Sequence, residues 1–165
     1  MEPTRLQIRQ ATETDVPLIL QFIRDLAAFE NHLELCEATE QRLAEHLFGD
    51  RVTAEVLFAE DDKLVVGFAV YYYTFSTFAG LPGIYLEDLF IRPEKRGSGV
   101  GRALLRHLAQ LAREKGCCRI EWSVLHWNER AMVFYENLGA RKVDDWCSYR
   151  LSGRSLEKLA SEPRS

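Results

Sequence analysis

The chain lacks the features that mark several broad protein classes. Its four cysteines, Cys36, Cys117, Cys118 and Cys147, include no C-x-x-C pair and no regular spacing. That argues against a disulfide framework and against a thiolate zinc site. They read as buried free thiols in a reducing, cytoplasmic setting. No stretch approaches the roughly 18 apolar residues needed to cross a bilayer. Met1-Glu2-Pro3-Thr4-Arg5 leads into a charged segment and not into an apolar signal core. No basic run exceeds two or three residues and the net charge is −4, so neither a nucleic acid nor a membrane partner is expected. His32, His46, His107 and His126 lack ligand-like clustering with Cys, Asp or Glu, and no metal is implied. What the chain does have is apolar content: 47% of 165 residues are hydrophobic, enough for one globular domain with a real core.

Periodicity gives the element order. Leu6, Ile8 and Ala11 alternate as a short strand, and Thr12 to Asp15 supply a cap and early acids for a helix running to about Phe29. Thr39 reads as the cap of a second helix ending near Gly49. Glu55–Glu60 and Leu64–Phe75 read as an antiparallel hairpin across a short polar link. Ile84–Ile91 is a further strand ended by Pro93. A helix from Gly99 to Gly116, a strand over Arg119–Leu125 and a helix over Asn128–Leu138 follow. Lys142-Val143 and Trp146–Leu151 look like a closing pair of strands. This β-α-α-β-β-β-α-β-α-β-β order fits an α/β protein of α+β type, with one mixed sheet and helices on both faces. The expected organisation is a single domain over 1–165, its core at about 5–151 and a short tail at 152–165.

The segment "IRPEKRGSGVGRALLRHLAQLA", residues 91–112, leaves amides without side-chain cover between a strand and a helix. Glycine there lets an anion reach backbone N–H groups at the positive helix end and supplies positive φ for the turn. Arg96 and Arg102 can add charge. The dinucleotide fingerprint fails because the third glycine comes one residue early, and the Walker Lys-Ser/Thr pair is absent. What stands is R-x-x-G-x-G, as Arg96, Gly99 and Gly101. A purely structural glycine turn would look the same in isolation.

A second segment, "VLHWNERAMVFYENLGA" (124–140), places Asn128 as an N-cap, with Ala131, Phe134, Tyr135 and Leu138 on one helical stripe. Together the two segments resemble the hallmarks of the Gcn5-related (GNAT) N-acetyltransferases, about thirty residues apart and in the family's order. "IYLEDLFIRPEKRGSGVG" and "IRDLAAFE" resemble the diamine acetyltransferase branch, the spermidine/spermine and thialysine enzymes. The similarity runs from about Leu6 to Arg150. It implies the GNAT fold, with a largely antiparallel mixed sheet of about six or seven strands, and a homodimer.

The resemblance also implies roles. Acetyl-CoA is the co-substrate, its pyrophosphate held by Gly97, Ser98, Gly99, Val100, Gly101 and Arg102 with Arg96. Its pantetheine arm runs along backbone groups of Leu89, Phe90 and Ile91, one amide of which polarises the thioester oxygen. Ser123, Asn128 and Ala131 line the other wall. A primary amine with a pKa near about 10.4 must lose a proton before it attacks. Glu87 is implied as the group that takes it, and Tyr135 as the acid that protonates the leaving thiolate. Asp88 points to the opposite face if the strand is regular. Phe29 and Glu30 match the aromatic–acid pair beside the amine; with Glu87 and Asp145, or Asp144, they make an acidic trough for a small cationic acceptor. Ser76 and Phe78 stand where the polyamine enzymes tend to carry Asp and Trp, and the loop before Trp146 is shorter. A diamine, a polyamine and a thialysine- or lysine-like ω-amine are thus all open as acceptors. Acetylation of a protein or peptide amine and a non-catalytic acyl-CoA-binding module are the alternatives.

Overall fold

The computed structural model describes residues 6–163, and the chain falls into two compact units that divide between Ser123 and Val124. Residues 1–5, with the expected start of the core, lie outside the described residues.

In the first unit, charge fixes where the opening strand β1 (Gln7–Gln10) gives way to the helix α1 (Val16–Phe29). The Thr12 amide and hydroxyl both donate to Asp15 Oδ2, at 2.8 and 3.0 Å. Arg9 grips the same carboxylate at 2.7 Å and reaches Glu60 at 2.6 Å. α2 (Glu40–Phe48) starts where Thr39 accepts from the Arg42 amide at 3.2 Å. The hairpin is β2 (Glu55–Asp61) and β3 (Leu64–Ser76), and β4 spans Leu81–Ile91. α3 (Val100–Glu114) follows, then β5, which is only Ile120–Glu121.

The sheet order is β1-β2-β3-β4-β5, antiparallel except for β5, which runs parallel to β4. Phe22 of α1 packs among Phe58, Phe68 and Phe90 at ring separations of 5.1–6.2 Å, forming the core of one face. Each such buried ring contributes on the order of 2–3 kcal/mol. α3 lies on the other face. Gly67 makes room there: a Cβ would come within 2.7 Å of the Ile91 side chain and 3.2 Å of Val100.

The second unit holds α4 (Glu129–Glu136) and α5 (Gly153–Ala160), the latter inside the expected tail. Three expectations change. The sheet has five strands among the described residues, not six or seven, because Lys142-Val143 and Trp146–Leu151 join no ladder. A strand exists only through pairing with another edge, which composition cannot supply. The strand expected over Arg119–Leu125 shrinks to two paired residues. The cysteines are not buried: Cys36 and Cys117 are half-buried, and Cys118 and Cys147 are exposed. Among the described residues, no helix is long and apolar enough to cross a membrane.

Candidate active site

The alternation of β4 breaks at Glu87. Leu86 pairs with Tyr71 and Asp88 with Val70, although Val70 and Tyr71 are consecutive, so Glu87 has no partner: a β-bulge. The bulge resets the faces. Phe90, two residues beyond Asp88, packs on Phe22 of α1, and Asp88 shares that face with Val70. Glu87 follows Tyr85 and Tyr72 onto the same side, where burial first and then its negative charge push the Tyr72 hydroxyl up. The expectation that Asp88 turns away is therefore corrected; both acids of Glu87-Asp88 face the α1 side.

Crowding follows. Burial first, then the charges of Glu87 and Glu30, push the Asp88 carboxyl up to about 7. Glu30, at the end of α1, is itself raised by burial. The stability consequence has a definite sign. The unfolded Asp88 titrates near 3.8, so between that pH and about 7 the native state holds the extra proton, and stability falls as pH rises through this window. Asp88→Asn should therefore raise the melting temperature, by the equivalent of about 2 kcal/mol at pH 8 after allowance for solvent screening, and by much less at pH 4. A thermal melt series at the two pH values checks this; a pH-independent effect would show that the carboxyl is not held neutral.

Beyond Tyr85, which pairs with Glu121, β4 has no ladder partner on the β5 side among the described residues. On the β3 side the Arg92 amide donates to Val66 at 2.9 Å. The antiparallel repeat then turns the Phe90 backbone toward β3 and leaves the Leu89 and Ile91 backbone on the open edge. Of the three residues expected to offer backbone groups, Phe90 is thus committed to the ladder and to the core.

The glycine turn opens immediately afterwards. Gly97 and Gly99 have φ of +80° and +90°, and at both a Cβ would meet nothing within 4 Å. Gly99 is the N-cap of α3, where no side chain caps the first-turn amides. Gly101 lies inside the first helical turn and is absent from the positive-φ positions. Ser98 is tied back by its hydroxyl to the Lys95 carbonyl at 2.7 Å, and Arg102 is exposed. Arg96, expected to add charge at the turn, also makes contacts of its own. Its Nε donates to the Ile91 carbonyl at 3.0 Å, and its guanidinium lies over Phe29 at 4.5 Å and Phe90 at 5.2 Å. The turn residue and the aromatic expected beside the acceptor are therefore in contact. The site as a whole can bind an anion at the α3 terminus and a cation at the carboxylates.

Two aromatics went unrecognised in the sequence. Tyr72 and Tyr85 stack at 5.3 Å on the carboxylate side, and the Tyr85 hydroxyl hydrogen bonds with Ser123 at 2.8 Å. Alternation within Tyr71-Tyr72-Tyr73 was the available signal, since Tyr72 alone of the three takes the α1 face. Ser76 is structural: its hydroxyl accepts from the Ala79 amide at 3.3 Å and from Arg119 at 3.4 Å.

In the second unit, the Asn128 side chain caps α4 by accepting from the Ala131 amide at 3.2 Å, and Tyr135 lies two turns beyond Asn128. Burial pushes the Tyr135 hydroxyl up to about 12. Asp145 is exposed, and Asp144 pairs with Lys142 at 3.0 Å.

A mixed sheet with an open edge beside a glycine turn at a helix N-terminus agrees with the family comparison. Residues 20–140 match the acetyltransferase (GNAT) family, and the chain belongs to it and is an acetyltransferase. Among its relatives, thialysine N-epsilon-acetyltransferase of Bos taurus is 36% identical over 168 residues, covering 95% of this chain and 98% of that protein. The spermidine/spermine N(1)-acetyltransferase-like protein 1 of Homo sapiens is 34% identical over 166 residues, covering 94% of this chain and 24% of that one. The crystal structure of an integron cassette protein from the mobile metagenome of V. cholerae matches with a TM-score of 0.81 at 27% identity, over 97% of this chain and all of that one.

Proposed function

We propose that the protein transfers the acetyl group of acetyl-CoA to a primary amine of a small diamine, polyamine or thialysine- or lysine-like substrate, by direct attack in a ternary complex. It does so as a cytoplasmic homodimer in which each chain acts as one acetyltransferase domain. The observation that carries the reading is the pair of exposed glycines, Gly97 and Gly99, whose missing side chains leave open space over uncapped amides at the start of a fifteen-residue helix. A diphosphate suits such amides, because each N–H directed at a charged oxygen contributes more than a neutral hydrogen bond. Bound there, acetyl-CoA supplies the thioester and a thiolate leaving group.

The chain's own residues do the rest. The Leu89 and Ile91 edge orients the pantetheine arm. Glu87 takes the proton from the acceptor ammonium, directly or through water, while Asp88 and Glu30 add negative charge that favours a cation. Phe29 and the Tyr72–Tyr85 stack offer ring faces to the amine's alkyl chain and charge. Tyr135 donates to the departing sulfur, and Asn128, Ala131 and Ser123 line the co-substrate channel. The relatives named for thialysine and for spermidine/spermine support an acceptor with a primary amine on a flexible chain.

The test is CoA release from acetyl-CoA with a panel of diamines, polyamines, ω-amino acids including thialysine, and a lysine peptide. Turnover with at least one small amine is expected. Turnover with the peptide alone would move the acceptor to protein amines. No turnover, with acetyl-CoA still bound, would make the protein an acyl-CoA sensor.

A further inference from the structure

We propose that the Asp61–Lys95 ion pair is a clamp that positions the glycine turn for the diphosphate of CoA, which makes Asp61 and Lys95 positioning residues for the co-substrate. The proposal rests on the acetyl-CoA reading above and deepens it.

The pair joins two turns distant in sequence. Asp61 is the last residue of β2, and Lys95 is the last residue of the single 3-10 turn that leads into Arg96-Gly97-Ser98-Gly99. Lys95 Nζ lies 2.5 Å from Asp61 Oδ2. The hairpin end that presents Asp61 is tightly defined: Asp61 pairs with Leu64, and the two residues between them, Asp62 and Lys63, have φ of +48° and +67°. Two consecutive non-glycine residues at positive φ make a primed hairpin turn from side chains that disfavour it. Such conformations persist where their surroundings over-determine them.

The rest of the segment is secured by other contacts. Before the turn, Arg92 donates from its amide to Val66 at 2.9 Å and from Nε to Val65 at 3.0 Å. After it, Val100 packs against Gly67. Lys95 stands between these anchors, and its carbonyl accepts from the Ser98 hydroxyl, so fixing Lys95 fixes the strand of the turn that carries the exposed amides. An unanchored glycine turn would have to lose its backbone freedom on binding, at a cost to affinity.

The two partners are not equivalent. The Asp61 side chain is only 13% exposed and its Oδ1 is buried without a donor among the described residues, whereas Lys95 is 40% exposed. Removing Lys95 strands a buried charge; neutralising Asp61 leaves an ammonium that water reaches.

The experiment measures CoA binding by calorimetry, and steady-state KM and kcat, for Asp61→Asn, Lys95→Met and Lys95→Arg. Asp61→Asn and Lys95→Met should weaken CoA binding about five- to twentyfold and raise KM for acetyl-CoA in step, with kcat and amine KM within about twofold. Lys95→Met should lower the melting temperature more than Asp61→Asn. Lys95→Arg, which keeps the ion pair, should bind CoA within about twofold of the unchanged protein. If Asp61→Asn binds CoA as tightly as the unchanged protein, the clamp is wrong and the acetyl-CoA reading stands. If kcat and amine KM move as far as KM for acetyl-CoA, the pair is merely structural, and the clamp is also wrong. Failure of the unchanged protein to bind CoA would overturn the acetyl-CoA reading itself.

Discussion

Gly99→Val should weaken CoA binding by about a hundredfold or more, equivalent to about 2.7 kcal/mol. Two effects add. At φ +90° and ψ −2°, a β-branched residue is strained by about 1–2 kcal/mol, and the chain would shift to relieve it, turning the amides of the first α3 turn away from their present direction. The new side chain also projects into the space that leaves these amides accessible, and each hydrogen bond to a charged oxygen lost there costs about 1.5–3 kcal/mol. Strain alone would appear in the melting temperature, whereas occlusion appears only in affinity. Gly99→Ala, which shares the unfavourable φ with less bulk, should fall between the two. Calorimetric titration with CoA, run beside thermal melts of both variants, separates the contributions. Binding of the valine variant within about threefold of the unchanged protein would mean that the anion is held elsewhere.

Tyr135→Phe should lower turnover by about a hundred- to a thousandfold while changing CoA affinity by no more than about threefold. Burial holds the hydroxyl at about 12, so it stays protonated across the whole working range and is always available as a donor. A phenol at that value gives up its proton less readily than a thiol near about 8.5. Its contribution is therefore a hydrogen bond that strengthens as charge builds on sulfur, with full transfer coming late. This is why the expected loss lies toward the lower half of the range usual for a general acid. It also means that Tyr135 should impose no alkaline fall in kcat below about pH 11. Rapid-quench turnover of the phenylalanine variant, with CoA affinity measured in parallel, is the decisive comparison. Equal losses of turnover and affinity would make Tyr135 a packing residue, and a Tyr135-dependent alkaline fall near pH 8 would contradict the burial that raises it.

Local signals carried the first unit well. The Thr39 cap, the 55–75 hairpin and the R-x-x-G-x-G turn all depend on residues within a few positions of one another, and each stands where spacing put it. The misreadings involve partners far away in the chain. Tyr85 to Phe90 reads as plain alternation, and only its pairing with Val70 and Tyr71 shows that one residue is skipped. Arg96 stands in the glycine motif, and its contact with Phe29, sixty-seven positions earlier in the chain, is not legible there. Residues 142–151 have the composition of strands, and composition does not provide an edge to pair with.

The skipped residue has one more consequence. Leu86 and Asp88 sit opposite Tyr71 and Val70, which are already adjacent, so a β4 shorter by one residue would keep every rung on both flanks. Glu87 is thus surplus to the architecture of the sheet. Pairing gives no reason for its presence, and the remaining one is the carboxylate it adds beside Asp88 on the face turned toward α1.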